Sequence, residues 1–129
     1  MTRPFTTVLV LAALALGGLG ACSSGGGAKG CPAKVATRTA TAGAVTVCGS
    51  EIKFDVETIK AQPGPLKVTF VNGGSSYHTL EIKKTSLDLK ANSGKTVSGT
   101  VTLSKGTYDF ECTVAGHADA GMKGKIVVG

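Results

Sequence analysis

Gln62-Pro63-Gly64-Pro65-Leu66-Lys67-Val68-Thr69-Phe70-Val71-Asn72-Gly73-Gly74 reads as a turn, an alternating run and a second turn. In an extended chain Leu66, Val68 and Phe70 share one face and Lys67 and Thr69 the other, the two-residue period of a half-buried strand. The Pro-Gly-Pro and Asn-Gly-Gly clusters stop the run on both sides. The same grammar extends outward. Upstream lie Ala44-Val45-Thr46-Val47-Cys48 and then Glu51-Ile52-Lys53-Phe54-Asp55-Val56, with apolar residues at 52, 54 and 56. Downstream come Tyr77 to Ile82, Lys95 to Leu103 after Asn92-Ser93-Gly94, Thr107 to Cys112 after Lys105-Gly106, and Lys123 to Val128. Helix signals are almost absent. About seven to eight short strands with turns every 8–12 residues predict an all-β protein, a Greek-key β-sandwich. Lys83 to Leu89 fits either a loop or one turn of helix.

The chain has 129 residues, room for one modest domain and not for a catalytic cleft between two. With 42% hydrophobic and 17% charged residues it is not a disordered polymer. Met1 to Ala21 reads as an export signal: Arg3, an apolar run from Val8 to Leu16, then small residues. The run is too short for a membrane span, and Gly17, Gly18 and Gly20 interrupt it. Leu19-Gly20-Ala21-Cys22 resembles a bacterial lipobox, in which cleavage precedes a cysteine that carries lipid. The alternative is an ordinary cleaved signal with a chance cysteine. Residues 22–30, Cys-Ser-Ser-Gly-Gly-Gly-Ala-Lys-Gly, form a Gly/Ser tether spanning about 15–18 Å on average and about 30 Å at full stretch. The domain proper is 31–129, placed by the lipid on the outer face of the cytoplasmic membrane. The formal charge of +6 becomes +5 once Arg3 leaves. That modest excess suits anionic headgroups or an acidic protein, and only Arg38 remains as arginine, which argues against nucleic acid.

The four cysteines sort by position. Cys22 goes to lipid. Cys31 and Cys48, in an oxidising compartment, are expected to pair, the alternative being two reduced thiols, one of them free to cross-link. Cys112 remains, in the pattern Cys112-x₄-His117-x₄-Met122. His78 is the only other histidine, and Met122 the only methionine once Met1 is gone. Two imidazoles, a thiolate and a thioether are the donor set of a blue-copper site. Structural zinc would show paired Cys or His spacings and not methionine. A thiol hydrolase leaves Met122 unexplained, and a plain buried core accounts for each residue but not for their joint spacing.

Gly106-Thr107-Tyr108-x-Phe110-x-Cys112-x₄-His117-x₄-Met122-x-Gly124-x-Ile126-x-Val128 resembles the C-terminal signature of the cupredoxins, the small blue copper proteins of the plastocyanin, azurin, auracyanin and rusticyanin kind. Phe70-Val71-Asn72-x₅-His78-Thr79 is similar to their first-histidine segment. The likeness runs over roughly 44–129. It implies one copper ion held by His78, Cys112 and His117 in a plane, with Met122 axial. Thr79 stands where many members have an asparagine that pins the ligand loop, and would bond across, to Thr113. Tyr77 stands where azurin has a glycine whose carbonyl is an extra ligand. Four protein ligands leave the metal no open position, so the implied role is electron transfer and not catalysis. A copper-storage or delivery lipoprotein is the alternative. Small residues around His117 and the Gly73–Tyr77 loop would form a flat docking face for cytochromes, an oxidase or a reductase, over less than about 1,200 Å². Lys83, Lys84 and Lys123 would steer an acidic partner, and a monomer is expected.

Overall fold

The computed structural model describes residues 30–129. The signal assigned to 1–21, the lipid site Cys22 and the tether as far as Lys29 lie outside the described residues. Ten strands form: β1 Val35–Thr39, β2 Ala44–Ser50, β3 Lys53–Phe54, β4 Val56–Ala61, β5 Gly64–Asn72, β6 His78–Ile82, β7 Asp88–Ala91, β8 Thr96–Leu103, β9 Gly106–Glu111 and β10 Lys123–Val128. No helix forms among the described residues, so none is long and apolar enough to cross a membrane. The strands make two mixed sheets, a six-stranded one in the order β1-β4-β10-β9-β6-β7 and a four-stranded one in the order β3-β2-β5-β8.

Alternation builds the layer between them. Val45 and Val47 of β2, Leu66, Val68 and Phe70 of β5, Leu80 and Ile82 of β6, Phe110 of β9 and Ile126 and Val128 of β10 are all buried. Phe54 stands edge-on to Phe70 with ring centres 6.0 Å apart, and tilted against Phe110 at 5.3 Å. Such rings supply both area and a fixed geometry to a small core. The registers also set direction. Strands β2, β5, β7 and β9 run toward one end of the sandwich, and β1, β4, β6, β8 and β10 run away from it. That end collects Asn72, His78, Cys112 and Met122.

Three departures from the sequence reading account for ten strands where seven to eight were expected. The Glu51–Val56 run is not one strand. Glu51 has a left-handed φ of 55° in a tight turn, Ile52 is 44% exposed, and the chain changes sheets between Phe54 and Val56, both buried from opposite layers. Lys83–Leu89 is a turn and the start of a strand, not a helical turn: Ile82 N–H donates to Leu87 O at 3.0 Å and the Thr85 hydroxyl to Ile82 O at 2.8 Å. Strand β7 follows at Asp88. Finally, β1 is an edge strand with little side-chain burial, paired in parallel with β4. It is fastened by polar contacts. Arg38 meets buried Asp55 with two bonds of 3.2 and 2.9 Å and donates to Thr46 O at 2.6 Å, while Asp55 accepts Cys48 N–H at 2.8 Å. Paired, hydrogen-bonded charges are the form in which burial of a carboxylate is tolerated. Cys31 and Cys48 form a disulfide, tying the segment before β1 to β2.

Candidate metal centre

His78 opens β6 and is fully buried, because the Gly73–Tyr77 loop folds over it. That loop is shaped by Asn72, itself fully buried. Its amide donates to Ser76 O and Ala91 O, each at 2.8 Å, and its carbonyl oxygen accepts Gly74 N–H at 3.0 Å. Gly74 is closely packed, since a Cβ there would lie 3.2 Å from Glu51 N and 3.3 Å from His78 Nε2 and its neighbours would have to give by a few tenths of an ångström. Cys112 directly follows β9 and is 1% exposed. The chain then turns back, with His117 N–H on Val114 O at 3.0 Å and Met122 N–H on His117 O at 2.9 Å. Cys112 N–H donates to Met122 O at 3.0 Å and closes the loop. One tight loop thus carries a thiol, an imidazole and a thioether, and the first strand of the neighbouring hairpin brings the second imidazole.

The donors converge. His78 Nδ1 and His117 Nδ1 are 3.3 Å apart, Cys112 Sγ lies 3.6 Å from His117 Nδ1, and the potential ligand atoms of His78, Cys112 and His117 all fall within 4.8 Å of one another. Donors bound at about 2.0 Å for nitrogen and about 2.3 Å for sulfur, at trigonal angles, stand about 3.5 and 3.8 Å apart. The two distances from His117 lie close to that spacing, so the cluster is able to hold one metal ion, and a thiolate with two imidazoles suits copper. Met122 is wholly buried nearby, with its methyl group against Gly49, where a Cβ would come within 2.8 Å of Met122 Cε. Burial, then the adjacent His117 ring, holds the His78 imidazole below its ordinary pKa, with Glu51 opposing. That keeps it neutral, the state in which imidazole binds metal.

Around the sulfur, Thr79 N–H approaches Cys112 Sγ at 3.4 Å and the Thr79 hydroxyl at 3.7 Å. The same hydroxyl accepts Thr113 N–H at 2.7 Å and stands 2.9 Å from Thr113 Oγ1. The link across from Thr79 to Thr113 therefore forms. Tyr77 sits outside the strand and is 43% exposed. Of the three lysines expected to steer a partner, Lys83 is held by Glu111 at 2.7 Å and Glu81 at 3.6 Å, and Lys84 lies in the turn at the far end of β6. Only Lys123, next to Met122, borders the cluster. Reading the sequence did not single out the scaffolding of Asn72, Gly49 and Gly74. Asn-Gly-Gly reads as a plain turn, and the one available signal was an Asn whose side chain can bond two residues onward.

The fold and the donor set define a β-sandwich metalloprotein of the copper-binding type. The sequence profile of the cupredoxin-like domain matches residues 10–128, and the chain belongs to that family. Among solved structures it is similar to reduced auracyanin from Roseiflexus castenholzii (TM-score 0.62, 20% identity, covering 70% of this chain and 98% of that one). It is also similar to rusticyanin from Thiobacillus ferrooxidans (0.60, 23%, 75% and 86%). A third similar structure is auracyanin A, a "blue" copper protein from Chloroflexus aurantiacus (0.57, 22%, 72% and 99%). At these identities the likeness is one of fold. No curated protein matches the sequence significantly.

Proposed function

We propose that this chain is a lipid-anchored blue copper protein that carries single electrons between redox proteins at the extracytoplasmic face. The observation that carries the reading is the convergence of one buried thiol and two imidazole nitrogens within 4.8 Å, over a buried methionine. His78, Cys112 and His117 would hold copper, with buried Met122 as a further donor beside them. Copper bound there would supply a one-electron Cu(II)/Cu(I) couple, able to accept one electron from a donor protein and pass it to an acceptor. The protein's share is rigidity and access. Buried His78 and Cys112 keep water from the centre, and the main-chain N–H of Thr79 faces the sulfur. His117 alone of the three is partly exposed, among Ala115, Gly116, Ala118 and Ala120, so a partner docks over it. Anchoring through Cys22 rests on the Leu-Gly-Ala-Cys sequence. The blue copper protein auracyanin A shares the fold. A storage or delivery role fits less well, because soft, open, methionine-rich ligation is wanted for Cu(I) release and the exported chain has one methionine.

Titration of the purified, metal-free protein with Cu(II) tests this. An intense visible band at one equivalent, bleached by a one-electron reductant, is expected. Cys112→Ser should bind without colour, and Met122→Gln should stay coloured at a lower potential. A folded protein that takes up no copper, or a Cys112→Ser variant that stays blue, sinks the assignment.

A further inference from the structure

The segment that leads to the tether leaves the sandwich at the metal end. Gly30 N–H donates to Gly73 O at 3.1 Å, and a Cβ on Gly73 would lie 2.9 Å from the Gly30 backbone and 3.2 Å from Cys31 Sγ. Gly73 N–H in turn donates to Gly49 O at 2.9 Å, and Gly49 backs onto Met122. The Cys31–Cys48 disulfide locks this crossing. So residue 30 touches the very loop, Gly73 to Tyr77, that covers His78 and flanks His117. It is the parallel entry of β1 beside β4 that puts it there: both strands begin at the metal end.

Resting on the lipid anchor and the copper site proposed above, we infer that the docking face is reined to the bilayer and that its partner is a redox protein held in the same membrane. The distance arithmetic decides it. From Cys22 to Gly30 the chain can reach at most about 30 Å, the limit set by covalent geometry. The face around His117 starts where that span ends. Had the chain left at the opposite end, the eight residues of β8 would add about 26 Å of sandwich between tether and face. As built, the face stays in the layer just above the headgroups. There it meets the external surface of a membrane protein at high effective concentration, while a carrier diffusing in bulk meets it no more often than any other surface.

The test uses the full-length, lipidated, Cu(I)-loaded protein, which is diamagnetic, in phosphatidylcholine nanodiscs containing nitroxide-headgroup lipid. Amides of Gly73, Gly74, Ser76 and Ala115 to Ala118 should lose more signal than those of Ala42, Gly64, Lys84 and Lys105 at the other end. Equal or greater loss at Lys84 and Lys105 overturns the orientation while leaving the copper and lipid assignments standing. A protein that does not stay on the discs overturns the anchor, and this inference with it. Partner class is read by inserting about thirty Gly/Ser residues between Lys29 and Gly30, which lowers effective concentration about tenfold by the −3/2 power of linker length. Oxidation of the reduced protein by membranes of the cell that makes it should slow about tenfold, with the visible spectrum unchanged. An unchanged rate, or oxidation by the soluble fraction of the same cells and not by their membranes, overturns the membrane-held partner.

Discussion

Thr79 has a single hydroxyl proton and two oxygen or sulfur atoms competing for it. Its oxygen accepts from Thr113 N–H, so the proton points either to Thr113 Oγ1, 2.9 Å away, or to Cys112 Sγ, 3.7 Å away. The contact between the two hydroxyls can run in either direction, and with the Thr113 hydroxyl donating, the Thr79 proton faces the Cys112 sulfur. Hydrogen bonds to the cysteine sulfur of a copper site raise its potential by drawing charge from the thiolate. Thr113→Val leaves the sulfur as the one side-chain acceptor beside that proton, so the potential should rise or hold and not fall, read by redox titration with the fold unchanged. Thr79→Val should act in the other sense. It strands Thr113 N–H and lowers stability by about 1–2 kcal/mol, and Thr79→Ser should restore most of the loss in urea unfolding. Asn72 carries more. Replacement by Ala removes two donors from main-chain carbonyls and the acceptor of Gly74 N–H, a loss of about 2–3 kcal/mol visible as a lowered urea midpoint with unchanged m.

Between β1 and β2 the chain reverses through Thr41-Ala42-Gly43-Ala44. Thr41 and Ala44 exchange both main-chain bonds, at 2.9 and 3.0 Å, and the two central residues have φ of 49° and 71°. This is the two-residue hairpin turn with both centres left-handed, for which Asn-Gly is the preferred pair. Gly43 meets it without strain. Ala42 does not, since its Cβ crowds the following carbonyl. Ala42→Asn, at an exposed position, should therefore stabilise the protein by about 0.5–1 kcal/mol, raising Tm by a few degrees. Elements of this kind also show what the sequence could and could not convey. Strands β5, β9 and β10 are legible because their alternation reports burial on one face. Strand β1 is not: Val35-Ala36-Thr37-Arg38-Thr39 is exposed along most of its length and is held by Arg38 on Asp55, a contact between residues 17 apart. Ile52 continued the alternating pattern of its neighbours, yet it occupies a turn that carries the chain from one sheet to the other. Local periodicity holds no information about such a crossing.

On the scale of the whole molecule, the donor set was readable because Cys, His and Met are rare here and each has a chemistry of its own. The disulfide, which joins the metal end to an N-terminal strap, was readable too, from the two cysteines left after Cys22 and Cys112; the glycines packed beneath the site were not, since their role depends on contacts distant in sequence. Residues 32–37 of that strap are exposed, and an apolar hollow of about 480 Å³, lined by Pro32, Thr46, Cys48 and Val71 among others, separates it from β2. Burial therefore contributes little to its attachment, and it is held by the Gly30–Gly73 bond, Arg38 on Asp55 and on Thr46 O, the Lys34–Glu57 ion pair, the ladder to β4 and the Cys31–Cys48 bridge. Removing the bridge returns a loop of 17 residues to the unfolded chain's freedom, about 3 kcal/mol on the chain-entropy account. Cys31→Ala with Cys48→Ala should lower unfolding stability by that amount. Because the sandwich core lies elsewhere, hydrogen exchange should show the Gly30–Thr39 amides opening well before those of β5 and β9. If the strap amides instead exchange together with the core in the bridgeless protein, the polar contacts alone hold it and the disulfide is redundant to its attachment.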